Sequence, residues 1–285
     1  MRERWVVISN CQSFGLANSI ECLAKTVECT ACDVWEFGRI VANDPDHFMQ
    51  YDFALLLPEA LRWEGFDQAR MPPYKTVPAF HFNAYHPDSV YVQADGQAFK
   101  GVVDAYQSMI ALAAYKEGLD AERAATFYNA DTYRAGGFFD QWEPDRDRLV
   151  RVYREFGIDI GPIFVRRARG RPIMHTINHP VIEVLFDVAR EVLLQLDQPI
   201  FTDVAPPPDN LAPVVWPIYP EIGETMGVGG SYLFKPAERH KPLELIEFVG
   251  ESLRLFSEWD RSQLRVTRKL EPALQSIRRH MREAA

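Results

Sequence analysis

Residues 5–27 read WVVISNCQSFGLANSIECLAKTV, and this stretch decides the fold. The run from Trp5 to Ser9 is short, apolar and rich in β-branched residues, which is typical of a buried strand. Apolar residues then recur at spacings of four, three and four, at Leu16, Ile20, Leu23 and Val27. This periodicity predicts a helix with one apolar face. A strand that leads directly into a helix is the first half of a βαβ unit.

Three further strands are predicted in the first hundred residues, at Asp33–Phe37, at Phe53–Leu57, which Pro58 ends, and at Thr76–Phe80. Helical or loop segments separate them. Strands spaced in this way favour βαβ units and parallel pairing. We therefore expect an α/β fold whose mainly parallel N-terminal sheet is flanked by helices.

The second part of the chain is predicted to be mostly helical. The patterns indicate helices at Val102–Glu117, Ala121–Tyr133, Asp145–Phe156, Pro180–Leu196 and Leu243–Phe256. The proline-rich stretch from Phe201 to Pro220 is too apolar for a free linker, so we expect an ordered loop there. The expected organisation is an α/β segment at 1–100 and a mostly helical segment at 101–285, with one shared core.

Composition limits the class of protein. The chain has 285 residues, 47% hydrophobic and 25% charged, with a net charge of -9. Such an acidic chain argues against non-specific nucleic-acid binding, which needs a cationic surface. No apolar stretch approaches the roughly 20 residues of a membrane span, and the N-terminus lacks a signal-peptide pattern. We therefore expect a cytoplasmic protein without a transmembrane segment.

The turn between the first strand and the first helix places Cys11 where a nucleophile is useful. Helix-terminal N–H groups lack intrahelical partners, and the helix dipole favours negative charge by about 0.3–1 kcal/mol. Both effects are expected to lower the pKa of Cys11 and favour its reactive thiolate. The N–H groups of Gln12 and Ser13 would then hold a developing oxyanion. The alternative is a small buried residue at a tight turn.

The other cysteines carry a weaker signal. Cys29 and Cys32 form a CxxC pair, but neither a second pair nor two nearby histidines complete a zinc site. We interpret them as buried thiols near the second strand, and we expect no metal.

His86 is the strongest candidate for a base. It lies in Tyr85-His86-Pro87-Asp88, just beyond the fourth predicted strand. It would accept a proton from an alcohol or from the Cys11 thiol. Asp88 would orient it or cap a local turn. The alternative for His86 is a loop histidine bonded to backbone.

Two further groups are candidates for ligand contact. Pro180 prefers the first helical position, so Asn178 and His179 are expected at a helix N-terminus, facing an anion or acting as caps. The nucleotide fingerprints GxGxxG and GxxxxGK[ST] are missing, and the remaining phosphate candidate is a basic cluster or solvated turn formed by Arg166, Arg167, Arg169 and Arg171. The basic tail from Arg261 to Arg282 is interpreted as a solvated helix face, with peripheral membrane contact as the alternative.

Three motifs, taken in order, resemble a known family. They are Asn10-Cys11-Gln12 after the first strand, Tyr85-His86-Pro87-Asp88 after the fourth, and Asn178-His179-Pro180 opening an apolar helix. This arrangement is similar to the WcbI family of capsular polysaccharide biosynthesis proteins, over roughly residues 5 to 195. The family's usual glycine before the first motif is Ser9 here. The resemblance implies an α/β fold, a coenzyme A or acetyl-CoA site, and acyl transfer to a sugar hydroxyl.

The resemblance also implies site roles. Cys11 and His86 receive the catalytic roles. The expected cofactor-binding residues are Asn10, Gln12, Ser13, Tyr85, Asn178, His179, Arg166 and Arg167. The expected partners are a small acyl donor and a sugar or glycan acceptor.

Two mechanisms are open at this point. Cys11 would carry the acyl group with His86 as base, or His86 would deprotonate the sugar directly while Cys11 shapes the thioester pocket. An esterase or thioesterase, and a non-catalytic coenzyme A or glycan-binding protein, are the alternatives to an acyltransferase.

Overall fold

Strands and helices alternate at the start of the chain in the computed structural model, which describes residues 2–168 and 171–284. The strands are β1 Glu3–Ser9, β2 Val27–Asp33, β3 Phe53–Leu56, β4 Tyr74–Thr76, β5 Ser89–Ala94, β6 Gln97–Ala98, β7 Tyr106–Ser108, β8 Met174–Thr176, β9 His179–Pro180 and β10 Leu264–Val266. The helices are α1 Ser13–Leu23, α2 Val34–Asn43, α3 Met109–Glu117, α4 Ala121–Ala125, α5 Ala130–Ala135, α6 Trp142–Glu155, α7 Gly161–Arg167, α8 Ile182–Gln195, α9 Pro220–Met226, α10 Leu245–Phe256 and α11 Glu271–Glu283.

The chain forms two compact units. The first contains Met1–His81, Asp147–Met174 and Asn178–Ala212. The second contains Phe82–Arg146, His175–Ile177 and Pro213–Ala285. The expected division at residue 100 with a shared core stays a prediction.

The first unit is built on a four-stranded parallel sheet with the order β2-β1-β3-β4. In this register Ser9 pairs with Asp33, and Ile8 pairs with Leu56. The chain adds β2 on one side of β1 and then returns to add β3 on the other side. The strand order therefore reverses between β1 and β3, and open α/β sheets bind ligands beyond the carboxyl ends of the strands at such a switch point.

Helices cover this sheet because its central strand is apolar on both faces. The side chains of Val6 and Ile8 are fully buried, and they pack with Phe37 of α2 in one core cluster. Helix α1 packs against α8. A Cβ at Gly15 would lie 2.7 Å from Leu185 Cδ1, so the glycine permits this close approach. Each fully buried aliphatic side chain contributes about 1.5–3 kcal/mol.

Helices dominate the second unit, which also contains a small antiparallel sheet. Strand β5 pairs with β10, β6 and β7. The basic helix α11 is anchored by ion pairs, since Arg278 and Arg282 donate to Glu117 of α3 at 2.6 and 2.7 Å. Among the described helices, none is long and apolar enough to cross a membrane. Peripheral membrane contact of the basic tail stays a prediction.

The predicted fold class, a parallel N-terminal sheet flanked by helices with a mostly helical C-terminal half, is confirmed. Two strand predictions at the sheet were wrong. The second strand is Val27–Asp33 rather than Asp33–Phe37, because the Asp33 carboxylate accepts from the Trp35 N–H and starts α2. Val27 accordingly opens β2 instead of extending α1. The fourth strand is Tyr74–Thr76 rather than Thr76–Phe80, and the backbone of Phe80 is bonded to a side chain instead.

The helix boundaries in the second part also shifted. The helix predicted at Val102–Glu117 begins only at Met109, because the Ser108 hydroxyl caps it by accepting from the Ala111 N–H at 3.0 Å. The antiparallel strands β5, β6 and β7 were not predicted. The helix predicted at Ala121–Tyr133 is divided into α4 and α5, and the Asn129 side chain caps the second of them.

Candidate functional site

The β1–α1 turn is closed by its own hydrogen bonds. The Gln12 N–H donates to Asn10 Oδ1 at 3.1 Å, and the Ser13 N–H donates to the Asn10 carbonyl at 2.9 Å. These two N–H groups were expected to hold an oxyanion. That expectation was wrong, because Asn10 already binds both of them. The Ser13 hydroxyl is buried and has no hydrogen-bond partner among residues 2–168 and 171–284.

The Gln12 side chain clamps three segments of the first unit together. Its amide nitrogen donates to the carbonyls of Phe80 and Asn178, both at 2.8 Å. Its amide oxygen accepts from the Phe80 N–H at 2.9 Å. Gln12 is only 2% exposed. We refer to these three bonds as the Gln12 clamp. It makes Gln12 a positioning residue, and direct contact of Gln12 with a cofactor stays a prediction.

Cys11 lies half-buried beside this clamp. Its Sγ is 3.7 Å from Asn178 Nδ2 and 4.0 Å from the Asn178 carbonyl oxygen. Its side chain packs against an apolar cluster formed by Ile182, Leu185 and Leu211. The sulfur is therefore enclosed by hydrocarbon and by one polar residue.

The electrostatics at Cys11 reverse the expectation from the helix terminus. Burial, followed by the negative charge of Asp33, raises the pKa of the Cys11 thiol to about 11, although its own backbone N–H lowers it. The expected lowering was wrong, because burial outweighs the helix terminus and the first amides of α1 are bonded within the turn. Cys11 is consequently a neutral thiol at neutral pH.

Asn178 and His179 were expected to stand at the N-terminus of the helix opened by Pro180. The structure differs, because His179 and Pro180 form the short strand β9 and the helix begins at Ile182. The Ile182 N–H already donates to the carboxylate of Asp209 at 3.0 Å. Asn178 instead adjoins Cys11 through its side-chain amide. Binding of a cofactor by Asn178 and His179 stays a prediction.

The arginine cluster is engaged by a buried carboxylate. Arg167 donates to both oxygens of Asp187, at 2.6 and 3.1 Å, and Arg166 donates to one of them at 2.9 Å. These bonds hold the pKa of Asp187 below its usual range despite burial. Arg166 remains more than half exposed. Arg169 lies outside the described residues, and phosphate binding by Arg166 and Arg167 stays a prediction.

Cys29 and Cys32 lie on β2, three residues apart in a strand, so their side chains point to opposite faces of the sheet. Burial raises the pKa of both thiols, that of Cys32 to about 12. Within the described ranges 2–168 and 171–284, no group of three His, Cys, Asp or Glu side chains is arranged to hold a metal ion.

His86 belongs to the second unit, where it precedes β5 rather than directly following a sheet strand. It is 2% exposed, and its backbone N–H donates to the Asn83 carbonyl at 2.7 Å. Its Nδ1 lies 3.4 Å from the Pro217 carbonyl oxygen. A carbonyl only accepts, so this contact requires a proton on Nδ1 and leaves the lone pair of the neutral ring on Nε2. A general base needs this form.

The neighbours of His86 have structural roles. The Asp88 carboxylate accepts from the Ile110 N–H at 2.9 Å and from the Tyr219 hydroxyl at 2.6 Å. It therefore caps α3, which was the alternative to orienting His86, and burial raises its pKa to about 6. Tyr85 is fully buried, and burial raises the pKa of its hydroxyl to about 12.

The structure thus brings Asn10, Cys11, Gln12, Ser13 and Asn178 together in the first unit, and it places Tyr85 and His86 in the second. Sequence reasoning did not identify Phe80 as a partner of the turn. It also did not identify the charge of Asp33 near Cys11, although Asp33 ends the strand next to β1.

The fold and the turn define an α/β protein with a cysteine and polar amides at the switch point of a parallel sheet. A family model described as polysaccharide biosynthesis enzyme WcbI matches residues 4–199. The chain belongs to this family of polysaccharide biosynthesis enzymes. No curated protein matches the sequence.

A solved structure shares the fold over the whole chain. It is described as WcbI, a novel polysaccharide biosynthesis enzyme, in a native form without a disulfide bond between coenzyme A and a cysteine. The TM-score is 0.69 at 15% identity, and the match covers 100% of this chain and 99% of that one. At this identity the likeness shows the fold.

Proposed function

We propose that this protein is an acyl-CoA-dependent O-acyltransferase that transfers an acyl group, most simply acetyl, to a sugar hydroxyl in polysaccharide biosynthesis. Membership of the WcbI family supports the pathway. The description of the structural neighbour, which names coenzyme A and a cysteine, supports the donor. The observation that carries the proposal is the position of Cys11, beyond the carboxyl end of β1 at the switch point of the sheet.

In this proposal Cys11 shapes the thioester pocket and does not carry the acyl group. With a pKa of about 11, only about one thiol in ten thousand is ionised at pH 7. The thiolate is the nucleophile in cysteine chemistry. A neutral thiol packed against Ile182 and Leu185 instead provides an apolar wall for the sulfur of the donor.

The remaining roles follow from hydrogen-bonding capacity. The Asn178 side-chain amide stands beside the Cys11 sulfur, so it is the donor that would polarise a thioester carbonyl held there. His86 in its Nδ1–H form would take the proton from the sugar hydroxyl. The hydroxyl oxygen then bonds to the acyl carbon, the carbon–sulfur bond breaks, and the coenzyme A thiolate leaves and receives the proton.

A thermal-shift series with coenzyme A, acetyl-CoA, nucleotide sugars and NAD tests the donor. A ligand at one hundred times its Kd stabilises the folded state by about 2.7 kcal/mol. For a chain of this size that corresponds to an increase in Tm of about 5 °C. We expect the increase with coenzyme A and acetyl-CoA. A shift with nucleotide sugars alone would contradict the proposal and indicate a glycosyl-transfer function.

Mass spectrometry of the chain and of the sugars after incubation with acetyl-CoA tests the chemistry. We expect an acetylated sugar, no acetyl adduct on the protein, and transfer retained in Cys11→Ala. A stable adduct that Cys11→Ser abolishes would instead make Cys11 the acyl carrier. Release of acetate to water without a sugar product would indicate an esterase or thioesterase. Full transfer by both Cys11→Ala and His86→Ala would refute the site assignment.

A further inference from the structure

Two tryptophans form an open aromatic corner on the first unit, and neither has a role in the site described above. Trp35 is 70% exposed in the first turn of α2. Its ring lies 5.2 Å from that of Trp63, at an angle of 81°. An indole left this exposed loses the favourable burial of a large apolar surface. Its position therefore requires an explanation from function.

The corner is held in place by a glycine. A Cβ at Gly38 would lie 2.0 Å from Trp63 Nε1, so only a glycine lets the indole of Trp63 lie against α2. Gly38 is one helical turn after Trp35, and Trp63 is half-buried. The edge contact with Trp63 thus fixes Trp35 while one aromatic face stays in solvent.

The corner stands on the same edge of the sheet as Cys11. Trp35 follows β2 by two residues, and Cys11 follows β1 by two residues, with Ser9 and Asp33 paired at the ends of the two strands. Strand spacing and chain reach place the Cα atoms of Trp35 and Cys11 within about 19 Å of each other. Asp33 links them, since its carboxylate accepts from the Trp35 N–H at 2.8 Å and its charge raises the pKa of Cys11.

We infer that Trp35 stacks on the adenine ring of coenzyme A while the thiol end of the same molecule reaches Cys11. This inference rests on the proposed function and adds the group that binds the nucleotide end. Adenine is a flat π system, and an exposed indole face is a surface on which a base stacks. The pantetheine arm of coenzyme A separates the thiol from the base, which matches two sites at one sheet edge.

Isothermal titration with coenzyme A and with phosphopantetheine, which lacks the adenosine, tests the inference. Stacking of one base is worth about 5- to 100-fold in affinity by alanine substitution. We expect Trp35→Ala to weaken coenzyme A by about 5- to 30-fold and to leave phosphopantetheine unchanged, while Trp35→Phe keeps most of the affinity. Quenching of the tryptophan emission by coenzyme A should be smaller in Trp35→Ala.

Phe201 provides a matched control, because it is also an exposed aromatic residue but bonds to the Leu23 carbonyl at the end of α1, away from the carboxyl edge. Phe201→Ala should bind both ligands like the wild type. If the wild type binds coenzyme A and Trp35→Ala binds it equally well, the inference is overturned and the proposed function stands. Equal weakening of both ligands by Trp35→Ala would also overturn it. If the wild type binds neither ligand, the proposed function itself fails.

Discussion

Replacement of Gln12 by alanine is the most decisive test of how the site is built. The Gln12 clamp ties the β1–α1 turn to the backbone at Phe80 and at Asn178. Alanine removes the three bonds and leaves polar backbone groups facing a dry space. Phe80 is 1% exposed, so water does not readily replace the lost partner there.

The expected loss of stability is large for a single polar side chain. A buried polar group left without its partner costs about 1–3 kcal/mol, and the clamp serves three such groups. Because the Asn178 carbonyl lies on a half-buried residue, we expect a total of about 3–5 kcal/mol. That is a substantial part of the 5–15 kcal/mol typical of a folded domain.

Urea unfolding followed by circular dichroism measures this loss. With a slope of about 3 kcal/mol per molar urea, the midpoint should fall by about 1–2 M. Asn18→Ala, on the exposed side of α1, is the matched control and should stay within about 0.5 kcal/mol of the wild type. Gln12→Glu should be at least as unstable as Gln12→Ala at pH 7, because its charge faces two carbonyl oxygens. A midpoint for Gln12→Ala within 0.2 M, or about 0.6 kcal/mol, of the wild type would show that the clamp is not made in solution.

Three further predictions concern other parts of the chain. Asp187→Ala frees the two arginines and should cost about 1–2 kcal/mol in urea unfolding, since one arginine is exposed; an unchanged midpoint would contradict the ion pairs. Burial raises the pKa of Asp88 from 3.8 to about 6, so the folded chain binds more protons than the unfolded chain between these values. Stability from this group is therefore present at pH 4 and falls by about 3 kcal/mol as the pH rises to 6, and Asp88→Asn should flatten that dependence; parallel profiles would refute the shift. Gly38→Ala should cost about 1–3 kcal/mol by displacing Trp63, and adding Trp63→Leu should recover part of it; no recovery would mean that the clash lies elsewhere.

Local patterns in the sequence predicted the first strand, the turn and the first helix correctly. The run from Trp5 to Ser9 and the recurrence of Leu16, Ile20 and Leu23 depend only on neighbouring residues. The boundary at Asp33 was less certain in physical terms, because an apolar segment after it suits a strand or a helix. The capping bond to the Trp35 N–H decides for the helix.

The interior of the site could not be predicted, because its contacts join distant parts of the chain. The partners of Gln12 are 68 and 166 positions away in the sequence. The pKa of Cys11 depends on burial against α8 and on the charge of Asp33, and a rule based on the helix terminus alone gives the opposite direction. His86 was singled out correctly as a buried polar residue of interest, but its role as a base stays a prediction.

Mapping of mixed disulfides with oxidised coenzyme A tests the central claim, that coenzyme A binds with its sulfur beside Cys11. Exchange joins one cysteine to coenzyme A and releases one molecule of coenzyme A thiol, and peptide mass spectrometry locates the adduct. Cys22, Cys29 and Cys32 serve as internal controls, because burial also raises the pKa of their thiols. The account predicts a single adduct on Cys11, lost in Cys11→Ser and suppressed by excess acetyl-CoA. Modification of the half-buried Cys22 or Cys29 in preference to Cys11 would contradict it.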